Sequence, residues 1–205
     1  MRAPRWLAGT LSAAVLAAGC GPRNVVRFVA PDYAAKAPPK VAVMPFDNRS
    51  VDLLGPELLR KLVQASLSER GYDALPLDAV DAGLSKLGVH EGGQLSGLEA
   101  AKVAEMVGAD GLLYGTVEEF TMQNVGFAVR RLVRLKLTLV RAEGERLWED
   151  TGQGVTGTIT LDKKRAGQVF VQGMLERTLE NMFHTPLMPE SRAAVSDLIS
   201  RLPRR

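Results

Sequence analysis

The side chains best suited to catalysis or metal binding are scarce in this chain. Among its 205 residues there is one cysteine, Cys20, and there are two histidines, His90 and His184. A single cysteine excludes an intrachain disulfide and any multi-cysteine metal site. We interpret His90 as a solvated loop residue, whereas His184 follows a predicted helix, where a histidine complements the helix dipole. These residues therefore predict no metal site.

Acidic and glycine-rich stretches are also explained without catalysis. Glu118 and Glu119 are neighbours on a predicted strand, so their side chains point to opposite faces and cannot act as a carboxylate pair. Gly152, Gly154 and Gly157 do not link a strand to a helix as a phosphate-binding loop does, and they predict strand irregularities. The chain also lacks a serine elbow and a His-Glu-x-x-His motif. We therefore predict a protein that is not an enzyme and has no cofactor.

Asp47 and Asn48 are the remaining polar candidates. They follow the apolar run 40–46, and open α/β sheets bind ligands at the carboxyl ends of such strands. The same residues are also typical of a turn that caps the next segment. We favour the turn and keep Asp47 and Asn48 as a candidate ligand-facing turn.

The composition is that of a globular protein. Apolar residues make up 46% and charged residues 24%, and no apolar run is long enough for a membrane-spanning helix. Lysine and arginine number 26 against 23 acidic residues, so the net charge is only +3. Nucleic-acid-binding proteins usually carry a concentrated basic face, and this balance favours no nucleic-acid partner.

Cys20 lies at the end of a leader. Arg2 and Arg5 precede an uncharged, mostly apolar stretch at 6–18, which is too short to span a membrane and has the length of a secretory signal. One interpretation is an ordinary signal peptide that leaves a free thiol. A lone exposed thiol is a liability in an oxidising compartment, which favours a modified Cys20.

The run Leu16-Ala17-Ala18-Gly19-Cys20 resembles a bacterial lipobox. The resemblance implies that residues 1–19 form a lipoprotein signal peptide and that Cys20 is acylated and held in a membrane. It departs at Ala17, where the lipobox prefers leucine. Gly21, in place of aspartate, favours the outer membrane by resemblance to enterobacterial lipoproteins.

After the leader, the pattern predicts three parts. Residues 20–39 hold four prolines and predict a lipidated tether, with residues 25–29 as a candidate edge strand. Residues 40–185 predict one α/β domain, and residues 186–205 a C-terminal helix. In this helix Val195, Leu198, Ile199 and Leu202 form a narrow apolar stripe, which we expect to pack on the domain itself or, alternatively, on a partner.

The predicted domain is one mixed sheet in the order βαβααβ, followed by an antiparallel hairpin and C-terminal helices, with α+β character in its second half. Proline at the first helical position predicts a helix from Gly55, and Gly71 and Gly108 are typical helix ends. Asp78 is predicted to cap a helix, and Ser96 to open another through a capping box. The other predicted elements are strands at 40–46, 74–77, 110–120, 133–139 and 146–160 and helices at 165–183 and from about Pro189. In the strand 133–139 apolar residues alternate with polar ones, and in the helix from Gly55 the apolar residues share one face.

Four segments resemble one family in their order and spacing: residues 41–48, 69–72, 108–116 and 146–149. They are similar to uncharacterised Gram-negative envelope lipoproteins related in fold to the curli-secretion channel lipoprotein, the lipoprotein activator of a penicillin-binding protein and the TolB N-terminal domain. The resemblance implies a non-enzymatic periplasmic adaptor or regulator that contacts envelope lipoproteins or periplasmic proteins. A homo-oligomeric secretion component and a small-ligand binding module remain alternatives. Arg134 and Lys136 on the predicted hairpin argue against a membrane pore, because lipid-facing charges are costly.

Overall fold

A computed structural model describes residues 27–124, 128–159 and 187–205. The described strands are β1 (Phe28–Val29), β2 (Lys40–Val43), β3 (Asp47–Asn48), β4 (Asp73–Ala74), β5 (Gly111–Asn124), β6 (Ala128–Arg141) and β7 (Arg146–Ile159). The described α-helices are α1 (Tyr33–Lys36), α2 (Gly55–Ser66), α3 (Leu77–Ser85), α4 (Ala100–Val107) and α5 (Met188–Arg201), and Leu67–Arg70 and Gly92–Gly97 form 3₁₀ helices. The leader with Cys20, the predicted helix at 165–183 and His184 lie outside the described residues.

The described strands form one mixed sheet, as the sequence predicts. Six of these seven lie in the order β1-β7-β6-β5-β2-β4, and β3 pairs with β5. β2 runs parallel to both β4 and β5, whereas β5, β6 and β7 form an antiparallel meander. The predicted hairpin is therefore the second half of a three-stranded unit.

Helices cover both faces of the sheet around β2 and β5. On one face α2 and α5 pack on inward side chains of β5, β6 and β7, among them Leu113, Val133 and Leu135. On the other face α3 and α4 cover Ala42 and Leu112. This layering follows from a central sheet that is apolar on both sides and must be buried on both.

The alternation predicted for β6 is confirmed. Val133, Leu135, Leu137 and Leu139 are each at most 1% exposed. Between them, Arg134 forms an ion pair with Glu119 at 2.5 Å, and Lys136 forms one with Glu149 at 3.1 Å. The charged face of the meander is thus neutralised across the strands.

The segment 27–39 differs from the predicted tether, because it packs on the domain. Phe28 and Val29 pair with β7 at Glu149 and Trp148, which agrees with the predicted edge strand. Tyr33 is 4% exposed, and its hydroxyl hydrogen-bonds that of Tyr72. The prolines exclude a long helix here but do not prevent burial.

The C-terminal helix α5 packs on the sheet, which confirms self-docking. The predicted stripe of four residues is at most 2% exposed. Arg201 Nε donates to Asp150 Oδ2 at 2.7 Å, and this carboxylate is fully buried. The helix approaches closely because β7 has glycines beneath it: a Cβ on Gly152 would lie 2.6 Å from the Ala194 carbonyl oxygen.

Three local predictions are wrong in detail. Asp78 lies in the first turn of α3 and Pro76 holds the cap position. The predicted strand 74–77 is limited to Asp73–Ala74. The capping box predicted at Ser96 is formed instead by Glu91 and Gln94, and α4 begins at Ala100. The 3₁₀ helix takes the chain past Ser96 before the next helix can begin.

Candidate functional site

A cleft of about 700 Å³ opens where β2 ends. Its walls come from the β2–β3 connection, the first turns of α2, helix α3 and the loop that leads into the second 3₁₀ helix. Open α/β sheets characteristically place binding sites at this position, beyond the carboxyl end of a parallel strand. We call it the β2 cleft, and it is lined by Pro45, Phe46, Asp47, Asn48, Leu53, Pro56, Glu57, Arg60, Lys61, Leu77, Asp81, His90, Glu91, Gly92 and Gly93.

Arg60 of α2 fixes the shape of the β2 cleft. Arg60 is 8% exposed, and its Nε and one terminal nitrogen donate to the Val43 carbonyl oxygen at 3.1 and 2.9 Å. Both terminal nitrogens also donate to the Asp81 carboxylate, at 3.1 and 2.7 Å. A guanidinium held by a carboxylate and a strand end ties α2, α3 and β2 together. Its role is to hold the cleft in one shape.

Asn48 shapes the adjoining turn, as the turn interpretation predicts. Its Nδ2 donates to the Asp52 carbonyl oxygen at 2.8 Å. Its Oδ1 accepts from the backbone and the hydroxyl of Ser50 at 3.0 and 2.7 Å. Asp47, in contrast, has a carboxylate 41% exposed, with Arg49 at 3.5 Å. Of the two candidate residues, Asp47 is the one with its polar group directed to solvent.

The opposite wall depends on Gly92. A Cβ there would lie 2.4 Å from the Asp47 nitrogen and 2.6 Å from the Phe46 carbonyl oxygen, so only glycine lets the two backbones touch. The Gln94 Oε1 accepts from the backbone N–H groups of His90 and Glu91 at 2.7 and 3.1 Å. His90 is exposed, as predicted. The sequence signal for this wall was the Gly92-Gly93 pair.

An exposed apolar loop, residues 51–54, borders the β2 cleft at Leu53, which lines it, and no sequence pattern predicted it. We call this loop the rim. Val51 is 91% exposed, Leu53 88% and Leu54 48%. The loop is nevertheless held in place, because Asp52 Oδ1 accepts from the N–H groups of Leu54 and Gly55 at 2.9 and 2.8 Å. A fixed loop that presents large apolar side chains to water is typical of an interaction surface.

The charges of the β2 cleft are mixed. Glu57 and Lys61 form the i,i+4 pair at 2.6 Å on α2, and both are largely exposed. A hydrogen bond from Lys61 lowers the pKa of Glu57. Because both cations and carboxylates line the opening, the cleft has no single sign of charge that would select an ion.

The other candidate residues are structural where they are described. Glu119 is paired with Arg134, and Glu118 lies at a register shift in the ladder with β6. Gly152 and Gly154 lie under α5. Within 27–124, 128–159 and 187–205, no group of three or more His, Cys, Asp or Glu residues could hold a metal ion. None of the helices in these ranges has the length and apolar character needed to cross a membrane.

The sequence profile of the GNA1162-like lipoproteins matches residues 31–199. The chain belongs to this family. Membership of the GNA1162-like family confirms the predicted relationship to envelope lipoproteins. No match was found among curated proteins.

Solved structures agree with this fold. Lipoprotein GNA1162 from Neisseria meningitidis is 24% identical, with a TM-score of 0.56 over 70% of this chain and 99% of that one. A dodecamer of a PelC point variant from Paraburkholderia phytofirmans is 17% identical, with a TM-score of 0.51 over 89% and 99%. LpoB from Escherichia coli matches with 17% identity and a TM-score of 0.45 over 77% and 82%. The first two share the fold of this GNA1162-like chain.

Proposed function

We propose that the protein is a non-enzymatic lipoprotein, anchored in the outer membrane through Cys20, that acts as a periplasmic adaptor or regulator in an envelope assembly or secretion complex. The observation that supports this role is the apolar rim of the β2 cleft, where Val51 and Leu53 are about nine-tenths exposed. Exposed large apolar side chains on a fixed loop lose little conformational entropy when a partner covers them. Membership of a lipoprotein family supports the envelope location.

The rim predicts where the partner binds. A photo-crosslinking residue placed at Leu53 in the full-length lipoprotein should give an adduct in the envelope. The same residue at Lys102, which is exposed on α4, is the control and should give none. Val51→Ser, combined with the crosslinking residue at position 53, should lower the yield of the adduct. It should not lower the melting temperature, because an exposed side chain contributes little to stability.

The mass of that adduct separates the adaptor from the oligomer. An adduct with a different protein supports the adaptor, and an adduct of two identical chains supports the homo-oligomeric secretion component. The second is worth testing because the PelC structure that shares this fold is a dodecamer. Equal crosslinking from Leu53 and Lys102 would contradict the rim as the contact surface.

A small-ligand binding module is the second candidate function. The volume of the β2 cleft, about 700 Å³, lies within the roughly 300–1,000 Å³ of typical ligand pockets. A thermal-shift screen tests it, with Asp47→Asn as the variant that removes the exposed carboxylate. A ligand that raises the melting temperature of the wild type but not of the variant would support binding at Asp47.

The anchor itself is tested by detergent-phase partitioning. The wild-type protein should enter the detergent phase, and Cys20→Ala should abolish both acylation and partitioning, because the thiol is the acyl acceptor in a lipobox. Mature wild-type protein found in the aqueous phase with a free thiol would overturn the anchor.

A further inference from the structure

The three long strands of the meander extend beyond the other described strands of the sheet. β5, β6 and β7 each have 14 residues. β2 and β3 pair with β5 only as far as Val117, and α5 reaches β7 as far as Gly154, where Glu190 touches it. Within the described residues, the strands past these points pair only with one another. We call residues 121–124, 128–131 and 155–159 the ribbon end.

The chain before β1 is shorter than this extension. Arg27 lies beside Asp150, with 3.6 Å between Nε and Oδ2. From Asp150 to Ile159 at the last position of β7 there are nine residues, or about 30 Å of strand. From Cys20 to Arg27 there are seven residues, which span at most about 25 Å when fully extended. A membrane that holds Cys20 is therefore no farther from Arg27 than the ribbon end is.

The direction of β1 places the membrane anchor on the same side of the domain as the ribbon end. β1 pairs antiparallel with β7. The chain that precedes β1 therefore enters the sheet from the side on which the C-terminal end of β7 lies. The ribbon end lies on that side. With the chain before Arg27 extended in that direction, the ribbon end reaches the membrane surface before the anchor is fully stretched.

The ribbon end has the chemistry of a headgroup-binding surface. Its exposed cation is Arg130, and its sequence contains no acidic residue. Arg130 is exposed and is in none of the ion pairs within the described residues. Val155 is 52% exposed. It pairs with Leu132, and Leu132 lies two positions from Arg130 on β6. The side chains of Val155 and Arg130 therefore lie on the same face of the sheet. An exposed cation and an exposed apolar side chain on one face suit the boundary of an anionic membrane.

We propose that the ribbon end contacts the phospholipid headgroups of the membrane that holds Cys20. This inference rests on the lipid anchor of the proposed function. It differs from a membrane pore, because the paired charges of Arg134 and Lys136 remain on the domain side of the contact. The contact fixes the domain's orientation, with the sheet's ribbon end toward the lipid.

Fluorescence quenching of the full-length acylated protein tests the contact. Vesicles of phosphatidylethanolamine and phosphatidylglycerol carry a spin label on a fraction of their headgroups. A fluorophore is attached to Arg130→Cys or, in a second variant, to Gln123→Cys, which is also exposed and pairs with Arg130. Lys102→Cys on α4 is the control. Cys20 does not react with the label when its thiol is acylated.

The expected result is strong quenching at positions 130 and 123 and weak quenching at 102. Flotation of the wild type with the vesicles reports the anchor separately. If the protein floats and the control position is quenched as strongly as the ribbon positions, the contact is wrong and the anchor stands. If the wild type does not float, the anchor is wrong and this inference falls with it.

Discussion

Gly154→Ala tests whether α5 is fixed by direct contact with the β7 backbone. A Cβ on Gly154 would lie 2.0 Å from the Glu190 carbonyl oxygen and 2.7 Å from its carbonyl carbon. Real contacts of a Cβ are longer than 3.0 Å, so the helix has to move by about 1 Å or the strand has to bend. Overpacking of this kind lowers the free energy of unfolding by about 1–3 kcal/mol. In a domain of this size, a loss of about 2 kcal/mol lowers the melting temperature by roughly 4–8 °C.

Gly157→Ala is the matched control, three residues along the same strand. Among the described residues, its Cβ would meet nothing nearer than the Val129 carbonyl oxygen, at 3.7 Å. Alanine there adds an ordinary contact and removes a glycine from a strand interior, so stability should change by less than about 0.5 kcal/mol.

Thermal unfolding of the two variants and the wild type, followed by circular dichroism, is the assay. The reasoning predicts a clear drop for Gly154→Ala alone. Equal melting temperatures for all three proteins would refute the claim that α5 rests on the β7 backbone. An equal drop in both variants would show that the loss of stability does not depend on the approach of the helix.

Two further predictions concern polar groups in the domain. The Tyr72 hydroxyl donates to the Pro203 carbonyl oxygen at 2.9 Å, so the buried Tyr33 hydroxyl donates to Tyr72. Tyr72→Phe leaves both neighbours unpaired and should cost about 1–3 kcal/mol in urea unfolding, whereas Tyr33→Phe should cost only about 0.5–1.5 kcal/mol; equal losses would contradict this order. Burial raises the pKa of Glu149, but hydrogen bonds from Lys136 and Thr138 and nearby cations outweigh it, and the net pKa is lowered. Its stabilising effect is therefore present above the unfolded-state pKa and is lost as the pH falls through the lowered value. Glu149→Gln should reduce stability at neutral pH and weaken its acid dependence, and an unchanged pH profile would count against the pairing.

Patterns within one segment predicted most of the fold. The alternation of β6, the amphipathic face of α2 and the glycines at 71 and 108, which have φ of 85° and 71°, depend on neighbours in sequence. These features let local physical rules determine both the type of element and the face that is buried. The stripe of α5 belongs to the same class, since its spacing alone indicates a buried side.

The wrong predictions concern segments whose structure depends on residues far away in the sequence. Residues 27–39 look like a tether because their prolines disfavour regular structure. Tyr33 is nevertheless buried, and its hydroxyl is hydrogen-bonded to that of Tyr72, 39 positions away. The helix start predicted at Ser96 was displaced by the contact of Gly92 with the Phe46 backbone. Both contacts depend on the finished sheet, and no local pattern contains them.

The candidate site followed the same rule. Its place at the end of β2 could be predicted from the run 40–46 and the turn residues after it. Arg60 could not, because its partner Asp81 is on another helix and its acceptor Val43 is on a strand. The apolar rim was overlooked because Val51 and Leu53 resemble core residues until their exposure is known.

The direct packing of α5 on β7 also determines when the fold of the domain can be completed during synthesis. The helix that covers Val133 and Leu135 follows every strand of the described sheet in chain order, so this apolar face lacks part of its native cover until the helix has been synthesised. A chain shortened before this helix would leave that face exposed to water. The fourteen-residue helix thus makes burial of the sheet depend on a segment that is synthesised after all of the described strands.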